Sequence, residues 1–495
     1  MRFGSMIDMA AKKLGSLEPK AVWSIFEEIT KIPRCSGKEQ KVQDWLRRWA
    51  EENHVKFKKD EVGNVLLTRE ASPGCEGYPG LVLQSHQDMV CEKDEASPHN
   101  FDTDPIPVKV EGDIVRADRT TLGADNGMGI AISMALIADP TLKKHGKIEA
   151  LMTVEEETGL KGAMNMKQGF FTAKNMINLD SEETGVIIIG SAGGGGTQYT
   201  IPISFEPVEG WAGMKVKVDG LLGGHSGVDI HLPRANANKL LGDFLYTLGK
   251  ETPLSISNIQ GGTRGNAIPR SSSSVFVVPK KNASKVKAVF DKWGKKAKKG
   301  FPVEENMVFT LEEAKTEKAV SEEKTASIIG ILKEVHHGPF SWSKSIEGLV
   351  ETSNNLAIVN TEEAVVKISI MSRTSDAEDM AKNRKILKEI GVKYGADVVQ
   401  PPGGTGWKAD VTSPWLHFVA SIYEQVLGGK PVVTAIHAGL ECAQFINLEP
   451  GLRVVSVGPT IKSPHSPQEL VQIDSVKTVW SAVRAVAEKM GKEYR

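Results

Sequence analysis

No run of about 18 consecutive apolar residues occurs in the chain, so no membrane span is expected. The opening MRFGSMIDMAAKKLG holds one early arginine but lacks the apolar stretch of roughly 7–15 residues that a secretory signal needs. Cysteine is scarce. Cys35, Cys75, Cys91 and Cys442 share no metal-binding spacing, and without an export signal they read as reduced thiols in a cytoplasmic protein. An excess of one charge is missing too: 61 Lys and Arg against 62 Asp and Glu leave a net charge of −1, which gives no reason to expect nucleic acid or membrane as partner. The lysine-rich KWGKKAKKG at 292–300 reads as the solvated end of a helix. The glycine run SAGGGG after Ile189 is followed by neither a helix start nor a Lys-Ser/Thr pair, so it reads as a flexible crossing rather than a phosphate loop. No nucleophilic Ser or Cys constellation stands out.

What the chain has is length and pattern. Its 495 residues, 40% hydrophobic and 25% charged, are ordinary for globular proteins and too many for one core. Up to about residue 205, helical and strand patterns alternate: helices near 19–29 and 38–53, then a strand near 62–68. This predicts an α/β domain with a parallel or mixed sheet. From 206 to 397 the order strand, helix, two strands, helix occurs twice, which reads as a duplicated α+β insertion. From 398 to 495 the first pattern returns. The expected domains are therefore a discontinuous catalytic domain (1–205 and 398–495) and an inserted lid or dimerisation domain (206–397) with two similar halves.

Acids and imidazoles recur just past the predicted strands. GLVLQSHQDMV places His86 and Asp88 at the end of an apolar run, and EALMTV runs into Glu155, Glu156 and Glu157. MINL ends on Asp180, and RVVSVGP is followed by TIKSPHSP with His465. Asp125 lies between glycines in TTLGADNGMG, ahead of a predicted helix near Asn126. Taken singly, each is most simply a solvated or capping residue. Jointly they fall at the carboxyl ends of strands, where open α/β sheets bind ligands. Imidazole and carboxylate ligands without thiolate suit zinc, manganese or cobalt, and more than four such groups suggest two ions sharing one carboxylate. Of the adjacent Glu156 and Glu157, one could bind metal and the other act as general base, in either order.

SHQDMV, TTLGADNG, TVEEETG, NLDSEE, GLLGGHSG, GNAIPR, IHAGLECAQF and VGPTIKSPHSP, in that order, resemble the aminoacyl-histidine (Xaa-His) dipeptidases. That group is a branch of the dinuclear zinc peptidase clan that includes carnosinase and peptidase T, and the resemblance spans nearly the whole chain. It implies a zinc-peptidase catalytic domain, its mixed sheet flanked by helices, interrupted by a lid. It also implies two Zn2+ per chain, with Mn2+ or Co2+ able to substitute. His86 and Asp180 would bind one ion, Glu157 and His465 the other, with Asp125 bridging and the Asp125–Asn126 peptide cis. Asp88 would orient His86, and Glu156 would be the base. In the lid, His225 of GGHSG would donate to the oxyanion, Asn266 of GNAIPR would assist, and Arg373 of KISIMSRTS would take the substrate carboxylate. The implied substrate is a small peptide with a free N-terminus, Xaa-His including β-alanyl-histidine, and the implied assembly extends to a homodimer. Competing readings are an N-acyl amino acid deacylase of the same clan and a non-catalytic zinc- or peptide-binding protein. The latter is expected to lose its base or bridging ligand, whereas Glu156 and Asp125 are both present.

Overall fold

Leu81–His86 and Ile148–Thr153 are buried at every position, as expected of parallel strands covered on both faces. They lie at the centre of an eight-stranded sheet in the computed structural model, which describes residues 14–404 and 406–494. The strand order is Lys56–Lys59, Val65–Arg69, Ile148–Thr153, Leu81–His86, Asn175–Asn178, Arg453–Ser456, Val186–Ser191, Val432–Ile436. Leu81–His86 runs parallel to both neighbours, and Arg453–Ser456 runs parallel to Asn175–Asn178. The helix Ala124–Ala138 is apolar on nearly all sides and buried along most of its length. Pro414–Leu427 shows how local chemistry sets the ends of a helix. Ser413 caps it by accepting from the Leu416 N–H, proline opens the first turn, and Gly428 closes it at φ 70°.

The chain divides into two units. One comprises the chain up to Ile189, Asp410–Thr434 and the chain from Leu440 onward; the other is Gly190–Ala409 with Ala435–Gly439. The second unit is built on a sheet in the order Val308–Glu313, Trp211–Asp219, Ser272–Pro279, Ser255–Gly261, Val350–Thr361, Val365–Thr374, Gly193–Pro202, Asp397–Val399, with Gly338–Trp342 paired to Val350–Thr361. Ala237–Gly249, Ala283–Gly300, Glu322–Glu334 and Ala377–Lys393 supply its helices. Leu241, Phe244, Leu245, Phe276, Ile328, Leu332, Ile368 and Leu387 belong to one core. In the lysine-rich stretch Trp293 is buried and most lysines face solvent, so that stretch is the polar face of a packed helix.

Three expectations are corrected. The SAGGGG run is no flexible crossing: Gly193–Pro202 is a strand paired residue for residue with Val365–Thr374, from Gly193 opposite Thr374 to Pro202 opposite Val365. That pairing moves the start of the second unit from 206 back to Gly190, and its end from 397 on to Ala409. It also reshapes the duplication. Around the central pair Ser255–Gly261 and Val350–Thr361, the outer place filled in one half by Trp211–Asp219 is filled in the other by Gly193–Pro202, while Val308–Glu313 joins the first half. Finally, Cys35 and Cys91 are not free thiols but a disulfide with Cα atoms 5.7 Å apart; the fold closes a separation of 56 residues that their spacing did not reveal. Cys75 and Cys442 are free and buried.

Candidate active site

Because Leu81–His86, Ile148–Thr153, Asn175–Asn178 and Arg453–Ser456 point the same way, the segments leaving them emerge at one edge. His86 is the last residue of its strand, and Asp88 follows on the loop. Glu156 and Glu157 leave the next strand, Asp180 follows Asn178, and His465 follows the short strand Ile461–Lys462. Asp125 enters from the turn before the buried helix, where Asp125 and Asn126 depart from helical backbone and their peptide bond is cis.

Asp125 is at the centre of the cluster. Its Oδ1 lies 3.0 Å from His86 Nε2 and its Oδ2 lies 3.0 Å from His465 Nε2. His86 Nε2 is also 3.3 Å from Asp180 Oδ1, and His465 Nε2 is 2.9 Å from Glu157 Oε2. The Asn126 amide donates to Asp180. Asp88 faces the rear of His86: Nδ1 is 3.2 Å from its carbonyl oxygen and 3.3 Å from Oδ1, so the proton belongs on Nδ1 and Nε2 is left for the cluster. Asp88 further accepts from Ser36 Oγ (2.8 Å) and from the N–H groups of Glu156 (3.1 Å) and Glu157 (3.2 Å), fixing the loop that carries both glutamates.

The electrostatics call for positive charge. Burial alone would depress the His86 imidazole, yet Asp180, Asp125 and Asp88 raise it well above its ordinary value. His465 is pushed up to about 11 by Asp125 and Glu157. Burial, then the neighbouring Asp180, Glu441 and Glu157 carboxylates, push Glu156 well above the carboxylate range against the opposing His86. Glu182, which the sequence reading passed over, is pushed up to about 8 by burial and by Asp125 and Asp180. His86, Asp125 and Glu157 offer ligand atoms all within 4.8 Å of one another. Glu157 Oε1 is buried without a hydrogen-bond partner. An oxygen- and nitrogen-rich set with an unpartnered carboxylate oxygen and surplus negative charge fits one or more hard or borderline divalent cations.

His225, Asn266 and Arg373 belong to the second unit and form a separate group. Pairing of Gly224–His225 with Ala267–Ile268 brings Asn266 beside the histidine, and the Asn266 carbonyl accepts from the Ser226 N–H at 2.8 Å. His225 Nδ1 accepts from the N–H groups of Gly227 (3.2 Å) and Val228 (3.1 Å), which leaves the proton on Nε2. That nitrogen lies 3.3 Å from Arg373 Nη2, so two donors converge on one place. Arg373 is 8% exposed and donates from Nε to Ser226 Oγ at 3.2 Å. Among the described residues, no carboxylate lies within ion-pairing distance of it. Opposite Arg373 on the neighbouring strand, Ser353 bonds His437 Nε2 at 2.7 Å.

Residues 216–305 match the peptidase dimerisation domain of the M20 family. The chain is similar to a cytosol non-specific dipeptidase of Escherichia coli (strain K12), with 34% identity over 97% of this chain and 99% of the relative. The fold matches the crystal structure of an aminoacylhistidine dipeptidase from Vibrio alginolyticus with a TM-score of 0.89 and 35% identity, covering 97% of this chain and 99% of that one. An aminopeptidase from Bacillus cereus, 17% identical over 97% of this chain and all of its own (100%), shares the fold with a TM-score of 0.58.

Proposed function

The chain belongs to the aminoacylhistidine dipeptidase branch of the M20 metallopeptidases, and from that premise we propose that it hydrolyses unblocked dipeptides, Xaa-His and β-alanyl-histidine among them, with two zinc ions. One observation carries the two-ion reading: each oxygen of Asp125 faces a different imidazole, at 3.0 Å in both cases, so one carboxylate joins two half-sites. His86 and Asp180 would hold one ion, Glu157 and His465 the other. Mn2+ or Co2+ could replace zinc in such a ligand set. When bound, such a pair polarises the scissile carbonyl and lowers the pKa of a shared water.

The remaining roles fall to the chain itself. Glu156, with its raised affinity for a proton, takes the water proton and passes it to the leaving amine. Asp88 holds the His86 ring in the required tautomer. His225 donates from Nε2 to the oxygen on which charge develops, and Arg373 takes the free carboxylate of the substrate through its planar fork. Asn266 supports the turn beside His225. The relative named for aminoacyl-histidine motivates the Xaa-His preference, and the cytosolic relative motivates a cytosolic setting. No helix among the described residues is long and apolar enough to cross a membrane. Residues 216–305, with their match to a dimerisation domain, are the proposed seat of a homodimer, which mass measurement in solution tests.

The deciding experiment compares free, N-acetylated and C-terminally amidated dipeptides on enzyme stripped by a chelator and reloaded with zinc. Free dipeptides should be the preferred substrates, with activity lost on stripping and restored on reloading. Preference for the acetylated peptides would make the protein a deacylase, and activity that survives complete removal of metal would end the metal mechanism.

A further inference from the structure

Asp125 is presented by backbone that is itself held by one side chain. Glu469 Oε2 accepts from the N–H groups of Leu122 (2.7 Å) and Gly123 (3.0 Å), and Oε1 accepts from those of Ala124 (2.8 Å) and Asp125 (3.2 Å). Four successive donors close on a carboxylate that is 1% exposed. A helix N-cap ordinarily satisfies one or two such groups from its own segment. Glu469 is no part of that segment; it follows His465 and lies some 340 residues further along the chain, as the separations of 344 to 347 residues in its hydrogen bonds record. From the other side, Arg34, 3% exposed, donates to the carbonyl oxygens of Gly123, Gln87 (3.0 Å) and Asp88 (2.6 Å), tying the same turn to the His86 loop. The turn needs glycine at its centre: Gly123 has φ 71°, and a Cβ there would meet Arg34 Nη2 at 2.6 Å.

The two imidazoles are anchored very differently. His86 is the final residue of a central strand, and its side chain is 1% exposed. The His465 side chain is 50% exposed, and among the described residues its ring pairs with Asp125 and Glu157. Its backbone has φ 59°, and Ser463 has φ 52°, in a turn where the Glu469 N–H donates to the Ser466 carbonyl at 3.0 Å. The turn is anchored on either side of His465 by buried residues, Ile461 four residues before it and Glu469 four after.

We infer that Glu469 is a positioning residue of the metal centre: by clamping the N–H groups of 122–125, it sets the distance between Asp125 and His465, and so builds the half-site of Asp125, Glu157 and His465. The inference rests on the two-ion reading above. Arg34 leaves the other half-site independent of Glu469, because it holds the Asp125 turn to the His86 loop by separate bonds. The loss on changing Glu469 should therefore fall on one ion rather than two.

Zinc titration by calorimetry on the full-length protein tests this, with thermal unfolding of the metal-free form run alongside. Wild type should take two zinc ions; fewer would defeat the two-ion reading itself, independently of Glu469. Glu469→Gln replaces one of the two accepting oxygens by an amide NH2, which then faces two of the four donors. It should bind one ion as wild type does and the other roughly 10- to 100-fold more weakly, the usual cost of losing a residue that orients a metal ligand. Turnover should fall with little change in KM and recover as free zinc is raised, which a merely loosened fold would not do. Unchanged affinity at both sites, or equal weakening of both, overturns the inference. If Glu469→Gln does not fold, Glu469→Asp, which keeps the charge on a shorter stem, decides by the same titration. An unfolded Glu469→Asp as well would show that the carboxylate serves stability alone.

Discussion

The two clusters are opposites in charge. In the first unit, Asp88, Asp125, Glu156, Glu157, Asp180 and Glu182 surround two imidazoles, and those imidazoles are driven toward the protonated form. In the second, a buried guanidinium with no carboxylate in ion-pairing distance among the described residues stands with His225 and His437, and both imidazoles are driven toward the neutral form, His225 against the opposing Asp229. Histidine is the same residue in both, so the difference is entirely one of surroundings. A cluster that retains protons on its imidazoles is short of cations, and a guanidinium that is buried unpaired is short of an anion. The first is suited to metal and the second to the negative end of a substrate or the charge it develops. On the proposed function, the metal ligands and the cationic groups that face the substrate's negative charge thus come from separate units of the chain.

The widest gap between the clusters should appear on removing the base. Glu156→Gln fills the same space but cannot accept a proton, so kcat should fall by roughly 10²–10⁴ while zinc content stays at the wild-type value. Glu157→Gln should instead lower zinc content. Metal analysis beside steady-state rates reads both, and the reverse pattern would mean that the two glutamates have exchanged roles.

Next in size are changes to the cationic cluster, which should leave zinc content untouched. His225→Ala removes a donor to charge that forms only during reaction, so turnover should fall about 10²–10³-fold for free dipeptides and dipeptide amides alike. Arg373→Ala should raise KM and cost about 2–5 kcal/mol in kcat/KM for free dipeptides, the range for removing one partner of a buried charge pair. Dipeptide amides lack the carboxylate and should lose much less. Equal losses on acid and amide would move carboxylate recognition elsewhere, with Arg270 the next residue to change.

The acid cluster was legible because strand ends leave a mark: an apolar run followed within a few residues by His or Asp can be read along the chain, as at His86 and Asp180. The residues that hold those ligands leave no such mark. Glu469 and Arg34 act on backbone N–H and carbonyl groups of distant turns, and nothing in PHSPQEL or KIPRCS distinguishes a buried clamp from a solvated side chain. Ser226 meets Arg373 by a side-chain hydrogen bond, Ser353 by strand pairing and His437 through its bond to Ser353, all between segments far apart in the chain. The glycine run misled for a related reason: glycine is unfavourable within strands, and here ten paired residues opposite Val365–Thr374 override that preference. The hairpin Val108–Glu111 with Ile114–Ala117 was missed because each strand is only four residues long.

The smallest effect tests the electrostatic contrast itself. His437 is 6% exposed, and burial followed by the Arg373 charge pushes it down to about 3. An unfolded chain returns that imidazole to about 6.5, so below that pH the unfolded state binds a proton that the folded state refuses. Stability is therefore full above about 6.5 and declines as pH falls toward 3, at about 1.4 kcal/mol per pH unit for this one group. His437→Gln cannot take up that proton. Whatever it costs at neutral pH, its stability should fall by about 2 kcal/mol less than wild type between pH 6.5 and 5, read from urea midpoints of the zinc-loaded protein. Parallel pH dependences for the two proteins would show that His437 is not held neutral, and the guanidinium beside it would then be less isolated than the geometry indicates.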